Sequence, residues 1–186
     1  MADIVLTGNT SGAITVAAPA VAGTNTLTLP ASTSTLATTA DITGPAFSAY
    51  ASAAQSIADN TSTKLAFNVE IFDTNSNYDT GTYRFTPTVA GYYQFNAHVQ
   101  SGGSSTTEVW FCNIEQNGTA VLIGSNGQTK FATIGSCSNV SGLLYMNGSS
   151  DYVEAIVYQR SGGGALSTQA GSQTTSNFTG SLVRAA

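Results

Sequence analysis

Residues 67–95 read FNVEIFDTNSNYDTGTYRFTPTVAGYYQF, and their spacing decides the fold. Large or turn-forming residues fall at Phe67, Asp73, Tyr78, Phe85, Gly91, Tyr93 and Phe95. Toward the end, Gly91, Tyr93, Phe95, Ala97 and Val99 alternate with Gln94, Asn96, His98 and Gln100. A period of two predicts a strand with one buried and one polar face. Tyr92 is the one large apolar residue on the polar side.

Working outward, short apolar runs with turn signals between them predict strands over 64–72, 83–86, 92–100, 108–116, 120–123, 131–134, 138–146, 152–159 and 178–183. Asn117-Gly118 is a tight-turn signal between two of them. In 152–159, Val153, Ala155 and Val157 alternate with Tyr152, Glu154, Ile156 and Tyr158, so both faces are partly apolar. That pattern predicts one face toward a second sheet and one toward a neighbouring subunit. Phe47, Tyr50, Ala54 and Ile57 have helical spacing, so periodicity alone predicts a helix through Ala58.

The spacing of the seven residues in 67–95 resembles the signature of complement 1q globular heads: Phe, five residues, Asp or Asn, four, an aromatic, six, Phe, five, then Gly-x-Tyr-x-Phe. The eighth signature position, aromatic in the family, is Ala97. The runs SGLLYM, DYVEAIV and FTGSLV are similar to the last strands of that family. The resemblance implies an all-β fold: a two-sheet antiparallel jelly roll of the complement 1q and tumour-necrosis-factor type over 45–186. It also implies a first strand at 46–51, in place of the helix, and a compact threefold homotrimer. The many short strands fit a jelly roll on their own.

Composition narrows the function. Charged residues are 8% of the chain, and the net charge is −5. Its basic residues, Lys64, Arg84, Lys130, Arg160 and Arg184, are scattered, whereas phosphate backbones need clusters, so nucleic acid is excluded as a partner. No apolar run approaches the roughly 20 residues of a membrane span, so membrane insertion is not expected. Met1-Ala2-Asp3 has no basic start and no apolar core, so a cleaved secretion signal is not expected. Cys112 and Cys137 are too few for a disulfide framework and read as reduced thiols.

Reactive groups are sparse. The single histidine, His98, stands on the polar side of a strand and reads as an exposed or interface residue. No phosphate loop, nucleophile elbow or zinc-ligand spacing is present, so neither a catalytic site nor a cofactor is expected. Asp73, Asn75, Asn77 and Asp79 place oxygens at every second residue, but a calcium loop wants Gly where Tyr78 stands and an acid where Arg84 stands. Asp73 therefore reads as a turn former. Asp151 and Glu154 read as solvated acids beside a turn. Loops 101–107, 124–128 and 161–175 suit either contact with neutral ligands or plain connection.

Residues 1–44 differ from the rest. They hold no aromatic, Lys, Arg, His or Cys, and just over half are Ala, Ser or Thr. Such a segment has too few large side chains to offset its ordering entropy alone. It still carries strand-like pieces at Ile4-Val5-Leu6, Ile14-Thr15-Val16 and Leu27-Thr28-Leu29. Two readings stand: a disordered linker, or an extended arm that orders against partner chains. The stretch SGAITVAAPAVAGTNTLTLPASTSTLAT resembles N-terminal segments of bacteriophage tail-fibre and other virion proteins. That resemblance implies a phage virion protein made in the host cytoplasm: a trimeric fibre, spike or head-decoration knob. It would dock onto other virion proteins through 1–44 and contact a host-surface glycan or protein. The competing reading is a soluble cellular recognition module of the complement 1q type, binding carbohydrate or protein.

Overall fold

The computed structural model of the chain describes residues 4–7, 13–16, 44–102, 109–124 and 135–186, the first two stretches as backbone only. The chain divides into two units, Met1–Ala37 and Thr38–Ala186. In the first, strands β1 (Ile4–Thr7) and β2 (Ala13–Val16) pair antiparallel, Ile4 opposite Val16 and Leu6 opposite Ile14. The expected pieces at 27–29 and 131–134 lie outside the described residues.

The second unit contains strands only, among the described residues. They are β3 (Ala46–Tyr50), β4 (Ser56–Ile57), β5 (Thr61–Lys64), β6 (Val69–Asp73), β7 (Tyr78–Asp79), β8 (Arg84–Phe85) and β9 (Gly91–Gln100). Then follow β10 (Val109–Gln116), β11 (Thr119–Ile123), β12 (Cys137–Met146), β13 (Val153–Arg160), β14 (Leu166–Ser167) and β15 (Ser176–Ala185). A five-stranded antiparallel sheet runs β12-β9-β15-β3-β6. A six-stranded one runs β11-β10-β13-β8-β7, with β5 also on β13. The strand at 46–51 is present, and no helix forms there. Phe47 and Ala49, two residues apart as a strand requires, both belong to the buried core. The expected strand at 64–72 is instead two strands, β5 and β6, separated by Leu65 to Asn68, where buried Leu65 and Phe67 fill the core.

The core is aromatic at one end. Phe47 of β3 stacks on Phe85 of β8 at 4.5 Å and on Tyr78 of β7 at 4.8 Å, and meets Phe178 of β15 edge-on at 5.0 Å. Phe85 in turn meets Tyr93 and Phe95 of β9, each at 5.8 Å. These rings join the two sheets. Ala97 and Phe178 are cross-strand partners, both buried. The small residue thus stands beside a large ring supplied by the neighbouring strand. Gly180 is required by the same packing: a Cβ there would stand 2.6 Å from the Phe95 ring and 2.7 Å from Phe47. At the other end Trp110 is buried, and its Nε1–H donates to the Val99 carbonyl at 3.3 Å.

The turns follow local chemistry. Asn117 (φ 54°) and Gly118 (φ 77°) both take left-handed backbone, the tight hairpin that Asn-Gly favours between β10 and β11. Phe95 is buried against Phe85, Tyr93 and Phe178. Phe95→Ala should therefore cost about 3–5 kcal/mol in a denaturant titration. A cost below about 1 kcal/mol would place the core elsewhere.

Candidate self-association surface

The pleat of the five-stranded sheet sends Tyr93, Phe95, Ala97 and Val99 inward and Tyr92, Gln94, Asn96 and His98 outward. Register then fixes what shares the outward face. Tyr145, Leu143, Ser141 and Asn139 of β12 stand opposite Tyr92, Gln94, Asn96 and His98. On the other side stand Arg184, Ser181, Thr179 and Asn177 of β15.

This face has two halves. At one end Tyr92 (44% exposed), Leu143 (52%) and Tyr145 (47%) are bare, with Val183 (61%) at the bulge of β15 beside Tyr92. The Tyr92 and Tyr145 rings meet edge to face at 5.6 Å. Toward the other end the side chains hydrogen-bond to one another. Gln94 donates to Ser141 at 2.9 Å, Ser141 to Asn96 at 2.8 Å and Asn96 to Thr179 at 3.4 Å. Contiguous exposed apolar side chains on a sheet face mark an interaction surface.

The six-stranded sheet treats its outward face differently. Glu154 is 6% exposed, not solvated as the sequence suggests. Lys64 Nζ and Arg84 Nε reach its Oε2 at 3.2 and 2.8 Å, and this contact holds the Arg84 guanidinium charged. The Arg84 guanidinium also lies 4.0 Å over the Tyr152 ring. Phe111 stacks on Tyr158 at 5.0 Å, and Ile156 is buried. Hence the doubly apolar strand 152–159 has its outer side covered by this chain's own long side chains, and no neighbouring subunit is needed there. The mechanism is reach: Lys and Arg stems lie over apolar surface while their charges meet the acid.

The signature residues occupy distinct roles. Phe67, Tyr78, Phe85, Tyr93 and Phe95 are buried. Gly91 is buried where a Cβ would collide with the Arg184 carbonyl oxygen, so the pairing of β9 with β15 requires glycine. Asp73 closes its turn: Oδ2 accepts from the Tyr78 N–H at 2.6 Å and Oδ1 from the Asn75 N–H at 3.2 Å. Asn77 Oδ1 accepts from the Thr88 N–H at 3.3 Å. The alternating oxygens are thus bonded to protein donors. The Tyr78 hydroxyl donates to the Phe67 carbonyl at 2.8 Å, and burial, with the nearby Tyr83, Asp79 and Glu70, pushes its pKa up. Burial likewise pushes Tyr93 up to about 12.

Remaining candidates are structural as well. Asp151 caps the loop after β12, accepting from the Asn147 N–H at 2.9 Å and from Asn117 Nδ2 at 2.8 Å. Asp79 accepts from the Thr82 hydroxyl and the Gly81 N–H, each at 2.8 Å, which lowers its pKa. Loop 161–175 is tied down: Asp59 Oδ1 accepts from the Ser161 N–H at 2.8 Å, and β14 pairs with β4. Loops 101–107 and 124–128 lie largely outside the described residues. Both thiols are free, Cys112 buried, with its pKa pushed up to about 12 by burial, and Cys137 exposed. Among the described residues no three His, Cys, Asp or Glu side chains gather as a metal site, and no helix is long and apolar enough to cross a membrane.

A family model for the C1q domain matches residues 46–183. The chain belongs to the C1q domain family. Solved structures with the same fold include the globular domain of zebrafish complement 1qA protein, 17% identical, with a TM-score of 0.55 over 76% of this chain and 99% of that one. Murine APRIL at pH 8.0 matches at 10% identity and a TM-score of 0.54, over 76% of this chain and 100% of that one. The Eiger TNF from S. frugiperda matches at 11% and 0.54, over 77% and 94%. These likenesses show the fold. No curated protein matches the chain. Within the C1q domain, sequence reasoning had located Tyr92 but not Leu143, Tyr145 and Val183. The signal was present in LLY at 143–145, where apolar residues stand on both sides of a strand.

Beside the covered face, Glu115 has its pKa raised, first by burial and then by the charge of Glu154. A carboxyl whose folded pKa is raised binds its proton more tightly folded than unfolded, so stability falls as pH rises through its titration. Glu115→Gln should therefore raise the melting temperature at neutral pH. The gain should fade as pH drops below the ordinary glutamate range, where the wild-type carboxyl is protonated in both states. A melting temperature lowered at neutral pH would contradict this.

Proposed function

We propose that this C1q-domain protein is a structural protein of a bacteriophage virion. It is a threefold homotrimer of jelly rolls, forming the knob of a fibre, spike or head decoration. Residues 1–44 dock it onto other virion proteins, and the jelly roll of 45–186 contacts a host-surface glycan or protein. Self-association is carried by one observation: Tyr92, Leu143, Tyr145 and Val183 stand bare and contiguous on the outward face of one sheet, while on the other sheet the long side chains of Lys64 and Arg84 cover the outer side of the central strand β13 and bare apolar groups are confined to edge strand β11. The virion assignment is supported by the composition of 1–44 and its resemblance to fibre segments. The protein acts by binding and not by catalysis. Among the described residues, its one histidine is hydrogen-bonded to an amide, Asn139, and to no carboxylate.

Light scattering of the full chain at micromolar concentration should give three times the chain mass, and Tyr145→Ser should lower it while leaving the melting of the protomer core in place. A single-chain mass for the wild type contradicts the assembly. Deleting 1–44 should leave the melting temperature of the jelly roll unchanged and abolish incorporation into particles. A large drop in melting temperature would put the segment inside the domain. Unaltered incorporation would move the attachment to the knob, and wild-type trimer found free of any particle would favour the cellular recognition module.

A further inference from the structure

His98 sits at the polar end of the outward face, away from the bare tyrosines. Three strands of ten residues and two of five, about 4.8 Å apart and rising about 3.3 Å per residue, give this face about 630 Å². A stable interface needs about 800 Å² per partner, so the polar end takes part in it along with the apolar end.

The ring geometry assigns the proton. His98 Nδ1 lies 2.7 Å from Asn139 Oδ1. A carbonyl oxygen only accepts, so Nδ1 carries the hydrogen and Nε2 holds the lone pair. Nε2 has no hydrogen bond within the described residues and is the atom left to face a second copy. Acid adds a proton there, turning an acceptor into a donor and placing one positive charge on each copy.

Among the described residues of its sheet, that charge has no counterpart. The titratable or charged groups facing His98 on its sheet are Tyr92 of its own strand, Cys137 and Tyr145 of β12, Arg184 of β15 and Tyr50 of β3. None is an acid, and Arg184 is itself positive. Glu70 and Asp73 belong to edge strand β6, separated from β9 by β15 and β3. Asp73 is already bonded to backbone N–H groups.

We propose that His98 makes self-association through this face pH-sensitive: the neutral ring is compatible with it, and protonation at Nε2 loosens it. The proposal rests on the reading that this face joins copies of the chain. Histidine is the side chain whose charge ordinarily changes between about pH 5 and 8, and the test spans that range.

The test mixes isotopically labelled and unlabelled full-length chain and follows subunit exchange by native mass spectrometry, with light scattering in parallel. Between about pH 8 and 5.5 exchange should accelerate at least about tenfold in the wild type. His98→Gln, neutral at both, should give a flat profile, and His98→Lys should exchange fast throughout. Melting curves confirm that each variant is folded. A flat wild-type profile, or the same acceleration in His98→Gln, overturns the switch. A single-chain mass at about pH 8 overturns the association reading itself, and the switch with it.

Discussion

Phe47 lies between Tyr78 and Phe85, with ring planes within 18° of parallel on both sides. It belongs to one sheet and its two partners belong to the other. A sandwich is held by the side chains that cross its middle, and here the crossing is made by stacked rings. Tyr78 is fixed in turn by its hydroxyl on the Phe67 carbonyl and by its backbone N–H on Asp73. The loop 73–78 therefore belongs to the clamp. Burying rings on this scale is what lets a chain with few charges and short strands fold without disulfides.

Once the clamp fixes the two sheets, each is left with an outward face, and the two faces are finished differently. On the six-stranded sheet, Lys64, Arg84 and Glu154 form a small ion-pair network, Phe111 stacks on Tyr158, and bare apolar groups are confined to Val121 and Ile123 of edge strand β11. On the five-stranded sheet the side chains are short amides and hydroxyls at one end and bare tyrosine and aliphatic groups at the other. Short polar side chains bonded to one another form a flat surface. A flat surface with an apolar end is suited to close approach by another sheet or edge. The asymmetry between the faces, more than any single residue, is the basis for reading one of them as an interface.

The part of the fold legible in the sequence was the part with strict spacing. The alternation at 91–99 and the glycine and aromatic positions of 67–95 reported strand, core and turn together. Phe47 was misleading, because its neighbours Tyr50, Ala54 and Ile57 repeat at helical intervals although the chain there is extended and then turns. Phe178 opened the expected strand 178–183, but nothing in the sequence set it beside Ala97, where the family carries an aromatic. Glu154 read as a solvated acid because its two partners, Lys64 and Arg84, are distant in sequence, and their convergence depends on β5 and β8 both pairing with β13. The bare patch was hidden for a similar reason: Leu143, Tyr145 and Val183 become neighbours of Tyr92 only after β12 and β15 take their places on either side of β9.

Hydroxyl-radical footprinting of the full chain at micromolar concentration tests the central claim most directly. Within one protomer Tyr92, Leu143 and Tyr145 are comparably exposed, and Ile123, on the six-stranded sheet, is 73% exposed. If the five-stranded sheet joins copies of the chain, Tyr92, Leu143 and Tyr145 should be protected while Ile123 stays reactive, and the protection should disappear on dilution to monomer. Labelling of Tyr92, Leu143 and Tyr145 in proportion to their exposure in the single protomer, unaltered by dilution, would contradict the account.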